Sequence, residues 1–177
     1  MAVYSGLEQY LIRQGVVDET RMDRAKAEAV KGGVGVITAI CQLGFAPADK
    51  AYQVLADFCE MRFVLPSKMD IPSELIDKVP ARFATHYGFV PIQERNGVLV
   101  VAISDPLNAQ LLDDIRLVLK RRVEAVVTTP QEIHRVTKDL YGVGADTMEK
   151  ILINADGMEG VVSLEGAQIN SDLGDDS

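Results

Sequence analysis

The chain has 177 residues, 47% of them hydrophobic and 25% charged. This is a globular composition, with enough apolar side chain for one ordinary domain or two small ones. The formal net charge is −8 and tryptophan is absent, which argues against a phosphate-binding surface and against an aromatic platform for single-stranded nucleic acid. No nucleic-acid partner is expected.

The charge is unevenly placed. Residues 143–177 carry eight acidic residues and one basic residue, Lys150, so residues 1–142 are nearly neutral, with one compact basic cluster at Lys120-Arg121-Arg122. The opening "MAVYSGLEQY" has neither the basic region nor the apolar core of a secretory signal. The longest uncharged run, Gly32 to Ala48, is interrupted by glycines, Gln42 and Pro47. It reads as a buried helix and not as a membrane span. A cytoplasmic protein with no direct membrane insertion is expected.

In chain order, Leu7, Leu11 and Ile12 form one apolar stripe, and Gly15 stands where a helix end favours a left-handed residue. Asp18 caps a second helix whose apolar side is Met22, Ala25 and Ala29. Val36, Ile37, Ile40 and Cys41 make a third helix, ended by Gly44, and Pro47 opens a fourth from its first helical position. "YLIRQGVV" and "AICQLGFA" align Gly15 with Gly44, a faint repeat that describes two packed helix-turn-helix units.

Leu75, Ile76 and Val79, then Phe83 and Tyr87, predict two short helices leading into the second half, where the period changes. Phe89–Gln93 and Val98–Ile103 read as strands joined through "ERNG", whose Asn-Gly favours a tight hairpin. Leu107, Leu111, Leu112, Ile115, Val118 and Leu119 give one wide helix face, Val123–Val127 a third strand, and Ile133, Val136 and Leu140 a closing helix ended by Gly142. Beyond it the chain is acidic and glycine-containing. It reads as a flexible tail with at most a short helical stretch around Met148, Ile151 and Leu152.

Ser104-Asp105-Pro106, at the end of the second strand, is the stretch that most resembles a catalytic tip. The sequence reads more simply as a cap, with Asp105 accepting from the first helical amides and Pro106 in the first turn. "TTPQE" repeats that arrangement with Thr129, Pro130 and Glu132 after the next strand. Asp113-Asp114 falls opposite the apolar stripe, and His86 and His134 are isolated. Cys41 and Cys59 have no second cysteine or histidine at ligand spacing and read as buried thiols. No phosphate-cradling loop, zinc motif or nucleophile elbow is present. No catalytic residue, no metal site and no resident cofactor are therefore expected.

The order of features from "IPSELIDKVPARFATHYGFVPI" through "VLVVAISDPLN" to the closing Tyr141-Gly142 resembles the N-terminal domain of type II secretion and type IV pilus assembly ATPases. The glycine-hinged helical half fits the same domain, so the resemblance spans most of residues 6–142. It implies an α+β fold: a helical subdomain at 1–64, a small three-stranded α/β sandwich at 65–142, and the acidic tail at 143–177. In that family the domain is not the motor. It docks the motor to a membrane-associated platform, so the implied function is a non-enzymatic docking or regulatory module with a protein partner in a secretion, pilus or motility machine. The motor's Walker motif is missing here, which fits either a free-standing relative or part of a longer ATPase.

Some family members bind cyclic di-GMP through a repeated R-L-G-x-x-L-[LIV]-x-x-G pattern, and a sensor of this dinucleotide is the alternative function. The first copy would be "GLEQYLIRQG", matching at Leu7, Leu11, Ile12 and Gly15, and the second "GVITAICQLG", matching at Ile40 and Gly44. Both arginine positions are glycine, Gly6 and Gly35, and the motif glycines are Glu8 and Ile37.

Overall fold

A computed structural model of the chain describes residues 5–142. The reading of residues 143–177 as a flexible tail with a short helix lies outside them. Four helices come first: α1 (Gly6–Arg13), α2 (Glu19–Gly32), α3 (Val36–Gln42) and α4 (Ala48–Phe58). A short 3-10 turn, Pro66–Lys68, and two brief helices, α5 (Ser73–Lys78) and α6 (Ala81–Tyr87), lead to β1 (Phe89–Arg95), β2 (Val98–Ile103), α7 (Ala109–Leu119), β3 (Arg122–Val127) and α8 (Pro130–Tyr141). The fold is α+β, as the sequence predicts.

The repeat is a repeat of helix endings. Gly15 and Gly44 adopt φ +67° and +68°. At the first hinge the amides of Gly15 and Val16 donate to the carbonyls of Ile12 and Leu11; at the second, Gly44 and Phe45 donate to Cys41 and Ile40, at 2.9–3.0 Å throughout. Each is a Schellman ending, which satisfies two carbonyls that a helix terminus otherwise leaves unpaired. The chain then turns and starts the next helix, from Asp18, whose carboxylate accepts from the Arg21 amide at 2.8 Å, and from Pro47. Pro47 is the cap itself, one residue before its predicted place. Leu11, Met22, Ala25, Ile40 and Ala51 meet in one fully buried cluster.

The strands form a mixed sheet in the order β1-β2-β3. The β1–β2 pair is an antiparallel hairpin turned at Asn96 (φ 51°) and Gly97 (φ 76°), two consecutive positive φ values that a tight hairpin of matching twist requires. β1 extends to Arg95, two residues past its expected end, and carries an irregularity between Pro91 and Gln93. β2 and β3 are parallel in register Val98↔Arg122 to Ile103↔Val127, with α7 as the crossover. One face of the sheet packs Phe89, Leu99, Val101 and Ile103 against α6 and α7. The other packs Val90, Ile92, Val100 and Val126 against Ile133 and Val136 of α8. The helical half is joined to the sheet beyond β3: Val127 donates to Arg62 O at 2.8 Å and its carbonyl accepts from Val64 at 2.9 Å. The Val127 side chain belongs to the helical cluster.

Two predicted caps are built differently. Asp105 and Pro106 do not start α7; they form a turn, and α7 begins three residues later with Asn108 as its cap, accepting from the Leu111 amide at 3.2 Å. Leu107 consequently precedes the helix and is exposed rather than joining its apolar face. Thr129 does cap α8, accepting from the Glu132 amide at 3.2 Å. Glu132, however, does not reach back. It accepts from the amide and hydroxyl of Ser67, both at 2.9 Å, and so ties the 3-10 turn to α8. Asn108, a better-placed side chain two residues past the proline, outcompetes Asp105; Ser67 outcompetes the capping-box partner of Glu132.

Candidate functional site

The first turns of α1 and α3 open on one cleft of about 270 Å³ between the helical half and the carboxyl end of β2. Leu7, Gly35 and Val36 come from the two repeat copies, Tyr52 from α4, and Ser104 and Asp105 from the tip of β2. Asp105, displaced from its expected capping position, thus lines this cleft. Burial pushes the Tyr52 hydroxyl's pKa up against the opposing effect of a hydrogen bond with Thr38, and Cys41 and Asp105 add to the upward shift. Tyr52 therefore stays a neutral phenol at the floor. Tyr52 and Thr38 were missed from the sequence; both sit on helices that read only as packing surface, and their meeting depends on how α3 crosses α4.

The six repeat positions divide by role. Leu11 and Ile40 are fully buried in the helical core, Ile12 packs against it, and Gly15 and Gly44 are the left-handed hinge residues. Leu7 alone among them lines the cleft. Leu11, Ile12 and Gly15, like Ile40, Cys41 and Gly44, occupy the positions that a Schellman ending and the core under it demand. Their chemistry there is structural.

Glu8 stands where the repeat pattern has glycine, and its carboxylate is already committed. It accepts from the Ser5 amide at 2.8 Å while the Ser5 hydroxyl accepts from the Glu8 amide at 3.4 Å, closing a capping box on α1. It also pairs with Lys26 of α2 at 3.0 Å. Burial acts to raise its pKa, but the Ser5 amide and Lys26 outweigh it and leave the carboxyl below its usual range. The described residues lining the cleft include no lysine, arginine or histidine, and its charge is that of Asp105. Such a surface suits a neutral or apolar group and repels phosphate.

Cys41 and Cys59 are free thiols whose pKa burial pushes up, which keeps them protonated and unreactive. His86 is exposed and stacks edge-on against Tyr87. Asp113 pairs with Arg116 at 2.9 Å and Asp114 accepts from Gln110 at 2.8 Å, so these two carboxylates serve α7 locally and do not form a dyad. Among the described residues no group of three or more histidine, cysteine and carboxylate side chains is arranged to hold a metal ion, and no helix is long and apolar enough to cross a membrane.

The chain is similar to known proteins along nearly the whole of this fold. It is 25% identical over 150 residues, 82% of its length, to the type IV pilus assembly ATPase PilB of Myxococcus xanthus. To the type II secretion system protein E of Xanthomonas campestris it is 25% identical over 151 residues, 83% of its length. It spans only about a quarter of the length of these relatives, 26% and 27%. The solved structure of MshE with cdg superposes with a TM-score of 0.68 at 18% identity, covering 78% of this chain and all of that one, which shows a common fold. The MshEN domain family matches residues 57–147, just over half of the chain. The chain therefore belongs to the MshEN domain family, whose match takes in the hairpin with its parallel third strand and the closing α8, and is related to the N-terminal domain of type II secretion and type IV pilus assembly ATPases.

Proposed function

We propose that this chain is a non-enzymatic docking module that acts in the cytoplasm by binding a protein component of a type II secretion, type IV pilus or related motility machine. Residues up to 64 and residues 65–142 would be its two structural units. The observation that carries this reading is the fate of the repeat. Every matching position is accounted for by helix endings and core, Leu7 packing on the helical cluster as well as lining the cleft, while the positions able to hold a charged ligand are given to Gly6, Gly35 and the structurally engaged Glu8. What persists is a scaffold with the family's shape, and a shape without a reaction centre acts through its surface. The test is reciprocal capture. The tagged full chain, at native expression level and cross-linked to preserve weak complexes, should enrich a secretion, pilus or motility component, and the tagged component should return this chain. Failure in both directions overturns the reading.

A cyclic di-GMP sensor is the second reading, favoured by the convergence of Leu7, Gly35 and Val36 on one cleft. The lining chemistry opposes it. Two missing arginines remove charge-assisted contacts of about 1.5–3 kcal/mol each, and Asp105 adds repulsion. Calorimetry with cyclic di-GMP at high micromolar concentration decides it; saturable heat would establish the sensor.

A further inference from the structure

A second cleft, of about 310 Å³, lies on the other side of the Ser104–Pro130 ridge, between α6 and α8. Its chemistry is the reverse of the first. Thr85 comes from α6, Ser104 from the end of β2, and His134, Thr137 and Lys138 from one face of α8. The described lining residues carry no carboxylate and two side chains able to be cationic.

Two hydroxyls there are unusual. Thr137 is only 8% exposed, and its Oγ1 is sealed from solvent with no hydrogen-bond partner in the protein. Thr85 Oγ1, on the facing wall, is in the same condition. A buried hydroxyl normally finds a partner, because leaving water unpaired is costly. Both hydroxyls are sealed off in this conformation, and a turn about χ1 is what would bring each to the cleft that its residue lines, beside a third hydroxyl from Ser104. The cleft also stands beyond the carboxyl ends of β2 and β3, the parallel pair, where open α/β sheets place their ligands.

We propose that this cleft binds a small oxyanion-bearing molecule, with Thr85, Ser104 and Thr137 donating to a phosphate or carboxylate group and Lys138 and His134 neutralising it at the rim. Its volume suits a small metabolite. The site shares Ser104 and Pro130 with the repeat cleft but opens on their other side, and it is independent of the docking function.

The test is an NMR titration of the isotopically labelled full chain with inorganic phosphate and, separately, with malonate, at constant ionic strength set by chloride. The amides of Thr85, Ser104 and Thr137 should shift together and saturate at low millimolar concentration or below. Saturation with phosphate alone identifies a phosphoryl ligand, and with malonate alone a carboxylate; either supports the site. Lys138→Gln should weaken binding at least tenfold, whereas Arg135→Gln, which removes the same charge from a part of α8 outside the cleft, should leave it unchanged. Thr137→Val should weaken binding several-fold without lowering Tm. Linear shifts with both anions, equal effects of the two charge substitutions, or full affinity in Thr137→Val would each overturn the proposal, the last by showing that the hydroxyl serves only the protein or a trapped water.

Discussion

Glu8 decides whether the first repeat copy is a disabled ligand motif or a rebuilt helix start, and two substitutions separate its functions. Glu8→Gln keeps an acceptor for the Ser5 amide but removes the charge that faces Lys26. Glu8→Ala removes both. The pair with Lys26 is 3.0 Å long, with the glutamate side chain 13% and the lysine 33% exposed. An ion pair of that exposure contributes about 0.5–1 kcal/mol, and the capping arm adds about another 0.5–1 kcal/mol. A domain of this size loses about 2–4 °C of Tm per kcal/mol. Glu8→Gln should therefore lower Tm by about 1–4 °C and Glu8→Ala by about 2–8 °C at pH 7.

The pH dependence sharpens the test. The folded pKa of Glu8 is depressed below 4.5, so its stabilisation is fully present above 4.5 and is lost as pH falls through the lower folded value. The gap between wild type and Glu8→Gln, which cannot titrate, should narrow as pH falls below 4.5. Thermal unfolding by circular dichroism at pH 7, 5 and 3 measures it. Two variants indistinguishable from wild type at pH 7, or a glutamine gap undiminished at pH 3, would refute the structural role.

Three further outcomes are expected. Asn108→Ala should destabilise by about 1 kcal/mol, as loss of a helix cap does, and Asp105→Ala by less than about 0.5 kcal/mol; urea midpoints reversed in order would restore Asp105 as the cap. Tyr141 donates to Val79 O at 2.9 Å and burial pushes its pKa up to about 12. Ultraviolet titration should accordingly leave one tyrosine un-ionised until near that pH, and Tyr141→Phe should abolish this late step and cost about 1 kcal/mol. Gly35 has φ −67° and open space where a Cβ would stand, and a Cβ on Gly6 would make ordinary contact with Phe58. The Gly6→Arg/Gly35→Arg chain should fold and gain calorimetric heat with cyclic di-GMP; a silent double variant would show that the cleft is not a remnant of a dinucleotide site.

Much of the fold was legible because it is written in local signals. The Asn96-Gly97 turn, the glycines at 15 and 44, and the apolar period of Ile133 and Val136 each act within a few residues, and each stands where it was expected. The caps show where such reasoning stops. Asp105-Pro106 and Thr129-Pro130 look alike in sequence, yet only the second opens a helix, because Asn108 offers a competing cap three residues downstream of Asp105. Glu132 was diverted by Ser67, a partner 65 residues away that no local rule can supply. The clefts were illegible for the same reason. Thr38 and Tyr52, or Thr85 and Thr137, are ordinary helix residues until the packing of α3 on α4 and of α6 on α8 brings them together.

The repeat carries the deeper consequence. A ten-residue pattern that serves both a ligand and a helix ending imposes two independent sets of requirements on the same stretch. The apolar pair and the final glycine are held by the Schellman hydrogen bonds and by the core beneath Leu11 and Ile40. The first and third positions of each copy take no part in the Schellman hydrogen bonds. The first set cannot change without disturbing the helical half, and of the other positions Glu8 caps α1 and pairs with α2 while Ile37 is buried in the helical core. Similarity at the first set therefore carries information about fold alone. Only Gly6, Glu8, Gly35 and Ile37 report on binding, and in this chain none of them offers a cation to a phosphate.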